Sequence, residues 1–435
     1  MHRSNTARGA TRAAALAVCL VLAAAACASS TKSSGNPGST SAPSVTSPSG
    51  GPAPGITSTS ITLGQIATVT GPVPGLFQGA FNGLDAWAAY VNSTGGVGGR
   101  KVTVVQKDDA LDCNSYTNAI KALSTQVFAL VGTFAVQDGC GIGTLTADPT
   151  LPDIEGYLLN PKLIALPNAL TPTPQPPGYT TTGAVWIKKK FPSAITKTAD
   201  LYSTFSQASY EEISDTYKSL GFKYIYTRGT GPFDTNFTSD ILRMKSLGVR
   251  VVTLETQSVG SIADFIQQSD QQGFHPDAIV SAQAYDANLF KDLGSSDASN
   301  LYMPLLYPMY LGQDRGTNPA LATFLDWLNR THPGFPADIY TIEAWAAGQL
   351  FAQAMQAAGP NLTRASLIDA VHQVHGFTAG GMLPTSDPGR KLSPTCMVIV
   401  GVKGHTFTRL DPPNSGFQCN GSYFNVPLSQ LGGGG

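Results

Sequence analysis

From Ser58 onward one beat governs the chain: an amphipathic helix, a glycine just past its end, then a short β-branched run. Ser209–Leu220 stops at Gly221 before Tyr224-Ile225-Tyr226. Phe237–Leu247 stops at Gly248 before Val251–Leu254, and Ser261–Gln272 stops at Gly273 before Ala278-Ile279-Val280. Glycine ends helices because it enters the left-handed region without a Cβ clash. Strands alternating with helices in this way close as parallel sheets covered by helices. Nearer the start, Ile61–Ala67 reads as a strand, and Phe81, Leu84, Ala88 and Val91 fall on one face of a helix, with Trp87 in the core. Val102–Gln106 is the next strand. Asn114 or Ser115 can cap a helix bearing Ala119, Ile120, Leu123 and Val127, and the apolar run Ala129–Gly132 follows. About eight to ten strands result, more than one sheet of usual size holds. The expected fold is therefore α/β with two Rossmann-like lobes of parallel sheet flanked by helices, and the Pro-rich Asn168–Pro177 approaches a crossover between them.

Ahead of this body lie two segments of different character. Arg3, Arg8 and Arg12 precede the apolar stretch Ala13–Ala26, too short to span a bilayer as a mature helix. Ala24-Ala25-Ala26-Cys27 resembles the bacterial lipobox, so residues 1–27 read as a lipoprotein signal and Cys27 as the lipidated residue. Residues 28–57 are almost wholly Ser, Thr, Gly, Pro and Ala; such a stretch buries too little apolar area to offset its ordering entropy and reads as a disordered tether. Residues 431–435 form a tail. The segment Ile342–Ala358 carries Glu343, Gln349 and Gln353, so it reads as a buried helix, not a membrane span.

With 27 Lys+Arg against 28 Asp+Glu, the chain lacks the basic surplus of a nucleic-acid binder, and none is expected as partner. Its charged fraction of 13% also argues against general disorder. Outside the signal and Cys27, four cysteines remain: Cys113, Cys140, Cys396 and Cys419. In an exported chain they suggest two disulfides of three possible connectivities, and proximity favours Cys113–Cys140 and Cys396–Cys419. No CxxC occurs and no His lies near a Cys, so no metal site is expected. His372 and His375, with Asp369, could share a helix face, which reads as solvated surface. The chain has no Gly-x-Ser-x-Gly elbow and no Walker A loop; it is read as a non-enzyme without cofactor.

Gly71-Pro72, the run Asn92–Arg100 (NSTGGVGGR), Asp108-Asp109 and Val131-Gly132-Thr133-Phe134 together resemble the start of the branched-chain amino-acid (Leu/Ile/Val) binding proteins. These are type I periplasmic binding proteins that serve ABC importers. Asn236-Phe237-Thr238 and Met244–Val249 continue the likeness, and Gly416–Cys419 is similar to actinobacterial lipoprotein members. The resemblance implies two lobes joined by a three-segment hinge, with a ligand cleft between them. The N-terminal lobe would comprise residues 58–181 plus 312–391, and the C-terminal lobe 182–311 plus 392–430. It implies an extracytoplasmic solute-binding protein, anchored through Cys27 on the outer face of the cytoplasmic membrane. Lobe closure would capture a small molecule, an amino acid or a related amide or aromatic compound, for ABC permease and ATPase subunits. A monomer is expected. The alternative is a sensor of the same fold signalling to a membrane receptor or kinase. The family pattern points at strand ends for contacts: Phe77, Gln137, Asp138, Gly156, Tyr157, Phe205, Thr256, Gln257, Gln283, Tyr285 and Tyr307, with Asp138 and Glu155 able to receive an ammonium group.

Overall fold

The computed structural model describes residues 53–204, 207–231, 234–359 and 362–427. The signal with Cys27, residues 28–52 of the tether, Phe205 and the 431–435 tail lie outside the described residues. The elements run β1 (Ser60–Ala67), α1 (Gln78–Ser93), β2 (Lys101–Asp108), α2 (Cys113–Ser124), β3 (Ala129–Val131), α3 (Ile142–Ala147), β4 (Asp153–Ile154) and β5 (Ala169–Leu170). Then come β6 (Gly178–Thr180), α4 (Thr182–Lys190), β7 (Thr198–Ser203), α5 (Gln207–Ser219), β8 (Tyr224–Thr230), α6 (Thr238–Leu247), β9 (Val251–Glu255), α7 (Val259–Gln271), β10 (Ala278–Val280), α8 (Leu289–Leu293) and β11 (Leu301–Leu305). The series ends with α9 (Pro319–Thr331), α10 (Ile339–Ala358), α11 (Arg364–Val371), β12 (Val398–Val402), β13 (Phe407–Asp411) and β14 (Tyr423–Asn425).

Two helix-covered sheets result, as the alternating pattern predicts. The first has the order β2-β1-β3-β4-β5 and is wholly parallel. The second has the order β13-β12-β11-β10-β9-β7-β8, parallel except that β12 and β13 run antiparallel at one edge. A two-strand ribbon pairs β6 with β14. Strands outnumber the expectation because β4 and β5 are only two residues long and β6 and β14 three, lengths at which no periodicity can be read. Glycines close the helices where expected, with Gly248 at φ +67° after α6 and Gly273 at φ +58° after α7. Helix α2 is capped by Asp112 rather than Asn114 or Ser115: Asp112 is extended and its carboxylate accepts from the Ser115 N–H at 2.7 Å. The tether also ends earlier than expected. Gly55 O accepts from Thr62 N at 2.7 Å and Ile56 packs on the core, so residues 53–57 belong to the folded body.

Helices α9, α10 and α11 follow the parallel strands of the second sheet in sequence, yet α9 and α10 pack on α1. The approach of α1 to α10 is possible only because glycines face it. A Cβ at Gly83 would sit 2.2 Å from Thr341 O, and one at Gly348 would sit 2.3 Å from the Trp87 indole. Trp87, fully buried, meets Phe351 edge-on at 6.1 Å, and Tyr90 stacks on Trp345 at 5.4 Å. Each such ring contributes about 1.5–3 kcal/mol by leaving water. The ribbon holds the chain's late residues to the passage before α4: Thr181 N donates to Ser422 O at 2.8 Å and Tyr423 OH donates to Gly178 O at 2.9 Å. Both proximity-favoured disulfides are present, Cys113–Cys140 and Cys396–Cys419. Among the described residues no helix is long and apolar enough to cross a membrane.

The side of the first sheet that carries α2 encloses an unusual set of acids. Asp153 and Glu155, both fully buried, interact with each other and lack any other hydrogen-bond partner among the described residues. Asp138 and Tyr116 are buried close by. Burial pushes Asp138 and Asp153 up to about 7 and Glu155 well above the usual carboxylate range. Acids raised in the folded state lend stability below their unfolded values, near 4, that is lost as pH climbs through the folded values. The thermal midpoint should therefore fall between about pH 5 and about pH 8, and Asp153→Asn should flatten part of that fall. A midpoint that rises across this range would contradict the account. Separately, Gly83→Ala must push α1 off α10, lowering the unfolding free energy in urea by about 1–3 kcal/mol; an unchanged midpoint would refute the glycine contact.

Candidate functional site

In open α/β sheets, ligands are met at the carboxyl ends of the strands, where loop side chains and N–H groups converge. At the first sheet, the loop after β1 returns so that Phe77 N donates to Thr68 O at 3.0 Å, and Phe77 then opens α1. Its ring lies 4.6 Å from Phe134, which follows β3, and 4.8 Å from Tyr340 in the first turn of α10. Phe134 is 4.9 Å from Tyr340 and stacks at 6.2 Å on Tyr157, which follows β4. Four rings from four separate segments thus meet at one strand-end face. Gly156 packs closely there: a Cβ on it would lie 3.2 Å from the Phe134 ring and 3.5 Å from the Glu343 Cβ. Tyr157 OH donates to Gln175 Oε1 at 2.7 Å.

The second sheet reaches this face through Tyr307, which follows β11 and donates its hydroxyl proton to Glu343 Oε1. Glu343 belongs to α10, is 2% exposed, and its Oε2 has no partner among the described residues. Burial raises it well above the ordinary carboxylate range. Asp338 caps α10 by accepting from Thr341 N at 2.7 Å, and burial pushes it up to about 7, with Asp286 beyond β10 adding a like charge. Glu212 of α5 lies near Tyr157, and burial pushes it up to about 8.

Other sequence-predicted residues have different placements. Asp138 is buried and its Oδ2 accepts from Leu159 N at 2.6 Å and Asn160 N at 2.9 Å, so it holds the loop after β4; with Glu155 it belongs to the acid set around Tyr116. Gln137 is half-buried just before that turn. Gln257 ties three strands together, its Nε2 donating to Leu201 O at 3.1 Å and Thr230 Oγ1 at 2.8 Å. Thr256 has φ +56° and turns its hydroxyl onto the Glu255 carbonyl. Gln283 is half-buried and accepts from Ser281 Oγ at 3.3 Å. Tyr285, 1% exposed, is locked into the passage after β11: its OH donates to Gln313 Oε1 at 2.5 Å, and its carbonyl accepts from Tyr310 OH at 2.9 Å. Asp108 and Asp109 serve the turn after β2, Asp108 accepting from Val69 N and Ala110 N, each at 2.9 Å. His372 faces the Pro167 carbonyl at 2.9 Å while His375 pairs with Asp387 at 2.7 Å, so the two do not converge on a common site. The sequence reading did not bring Glu343 or Tyr340 to this face; the available signal was Glu343 as the one charged residue of a mostly apolar helix.

Residues 60–406 match the family model described as periplasmic binding protein. Leu/Ile/Val-binding protein homolog 1 of Brucella melitensis is 26% identical over 317 residues, 67% of this chain and 77% of that protein. Homolog 3 of the same organism is 23% identical over 363 residues, 77% of this chain and 89% of that protein. Among solved structures, the fatty acid ABC transporter substrate-binding protein from Thermomonospora curvata has a TM-score of 0.68 at 17% identity, covering 88% of this chain and 97% of its own. The solute binding protein from R. palustris in complex with 4-hydroxybenzoate has a TM-score of 0.67 at 17% identity, covering 82% and 98%. These likenesses establish the shared fold. With a family match running from β1 to the turn before β13, the chain belongs to the periplasmic binding protein family.

Proposed function

We propose that this protein is an extracytoplasmic solute-binding component of an ABC importer. It captures a small molecule, an amino acid or a related amide or aromatic compound, between two closing lobes. The observation that carries the reading is the strand-end face of the first sheet, where four aromatic rings meet beside Glu343, itself bonded to Tyr307 from the end of the second sheet. Such a face can enclose an apolar body and fix it with a few polar groups, which is how small-molecule sites are built. One lobe takes residues 58–181 plus 312–391 and the other 182–311 plus 392–430, with three passages as the hinge. Closure buries the solute and changes the outer shape that a permease meets. The relatives' names speak for transport: homologues of Leu/Ile/Val-binding proteins, and neighbours described with isoleucine, fatty acid or 4-hydroxybenzoate. Permease and ATPase subunits are the partners in this reading, and a diacylglyceryl Cys27 is the anchor.

A thermal-shift screen of amino acids, amides and aromatic compounds should find a solute that stabilises the protein by about 2.7 kcal/mol at 100-fold excess over Kd. Solution scattering should then register compaction with that solute; a screen without any stabilising compound removes the support for the reading. Cys27→Ala should move the protein from the membrane fraction into the medium. Retention in the membrane would count against the lipid anchor.

A further inference from the structure

A second concavity, apart from the strand-end face, is built from elements packed with both sheets. A cavity of about 550 Å³ opens beside the passage after β11, within the range of about 300–1,000 Å³ that small-molecule sites occupy. Its floor is the passage itself, Tyr310 to Gln313. One wall is aromatic: Phe290 of α8, with His405 and Phe407 from the hairpin of β12 and β13. The other is aliphatic, from Leu325 of α9 and from Pro336 and Ala337 just before α10, the two helices that pack on α1.

The aromatic wall is flat and firmly backed. The Phe290 and His405 rings lie within 12° of parallel at 5.7 Å, and Phe407 meets Phe290 at 4.6 Å. Behind them Phe407 packs on Tyr285 at 4.7 Å, and Tyr285 packs on Tyr310 at 4.9 Å. Lys403 N donates to Thr406 O at 3.0 Å, closing the turn that presents His405. Phe77, Phe134, Tyr157 and Glu343 do not line this cavity; the link to their face is Tyr310, which lies 6.5 Å from Tyr307. His405 is exposed and Phe290 half-buried, so ring faces are open to a planar aromatic body that stacks on them with an offset.

Charge selects the polar end of such a body. Among the lining residues Arg315 carries the fixed charge, and none is Asp or Glu. Arg315 pairs with Asp326 at 2.5 Å, but both side chains are about half exposed, and a solvated pair of this kind contributes little. Only Nη2 makes that bond among the described residues, so Nε and Nη1 keep donors for a carboxylate, which the guanidinium fork matches with two parallel bonds. The acids nearest along the chain are engaged locally: Asp314 with Arg409, Asp338 with Thr341 N and Asp286 with Asn288 N.

We infer that this cavity is a second small-molecule site, distinct from the strand-end face, that takes a planar aromatic carboxylate with its ring on Phe290 and His405 and its acid on Arg315. An occupant touches elements packed with both sheets, so its binding favours the arrangement that keeps the two walls at this spacing. The inference goes beyond the solute-binding reading and does not depend on it.

The test titrates the full chain calorimetrically with 2-naphthoate, with 2-naphthamide as the uncharged match and decahydro-2-naphthoate as the acid that is not planar. The naphthoate should bind about tenfold tighter than the amide and about threefold or more tighter than the saturated acid. Arg315→Gln should bring the naphthoate down to the amide and leave the amide unchanged. Leu325→Trp, whose indole fills the cavity, should abolish naphthoate binding. If Leu325→Trp does not fold, His405→Ala replaces it and should weaken the naphthoate about threefold. Tyr157→Leu, at the strand-end face, should leave that binding in place. Naphthoate binding that survives in folded Leu325→Trp and is lost in Tyr157→Leu overturns the second site, as does failure of all three compounds to bind. Equally tight binding of the amide or the saturated acid overturns the ligand class. Neither result bears on the solute-binding reading, which rests on the strand-end face.

Discussion

Everything at the strand ends of the first sheet depends on how closely α10 is allowed to approach α1. The two helices come from distant parts of the chain, and α10 arrives only after the whole parallel part of the second sheet has been laid down. Gly83 and Gly348 remove the side chains that would hold the helices apart, and the indole of Trp87 fills the space so created. Interiors at crystal-like density leave no slack for a wider approach. The same seat puts Tyr340, Glu343 and Ala344 over the ends of β3 and β4, where Gly132 and Gly156 accept them. The chemistry of the face is thus a by-product of a packing contact between helices.

Charge is distributed in a way that separates surface from interior. The pairs formed by Arg250 with Asp277 and Arg315 with Asp326 are largely solvated and count for little in stability. The buried acids are different: Asp153, Glu155, Glu255 and Glu343 form no ion pair among the described residues. Desolvation holds each toward its neutral form. A protonated carboxyl both donates and accepts, so it can serve as a neutral hydrogen-bonding group inside a sheet.

The fold was legible wherever local chemistry repeats. A glycine past a helix followed by β-branched residues announced α5, α6 and α7 with β8, β9 and β10, since each signal rests on a backbone preference of one residue. The apolar stripe on α1 and the glycine-rich turn at residues 95–99 were equally plain. The antiparallel edge made by β12 and β13 was not, because parallel and antiparallel pairing leave the same short apolar run. At the site, Phe77, Gly156, Tyr157 and Tyr307 were reachable from the family pattern, and all four meet or border the aromatic face. Asp138 looked like a partner for a ligand because an acid after a strand can face either way; only the positions of the Leu159 and Asn160 N–H groups decide it. Glu343 and Tyr340 depend on a contact between helices remote in sequence, which no local pattern records.

The ribbon of β6 and β14 joins residues 178–180 to 423–425. Closing so large a loop is entropically slow. The first passage between the sheets is also held by the Thr180 and Thr182 hydroxyls, which donate to the Thr395 carbonyl. A trimmed carboxyl end would leave that passage fastened at Thr395 alone of the two, and so looser at the point where the halves meet.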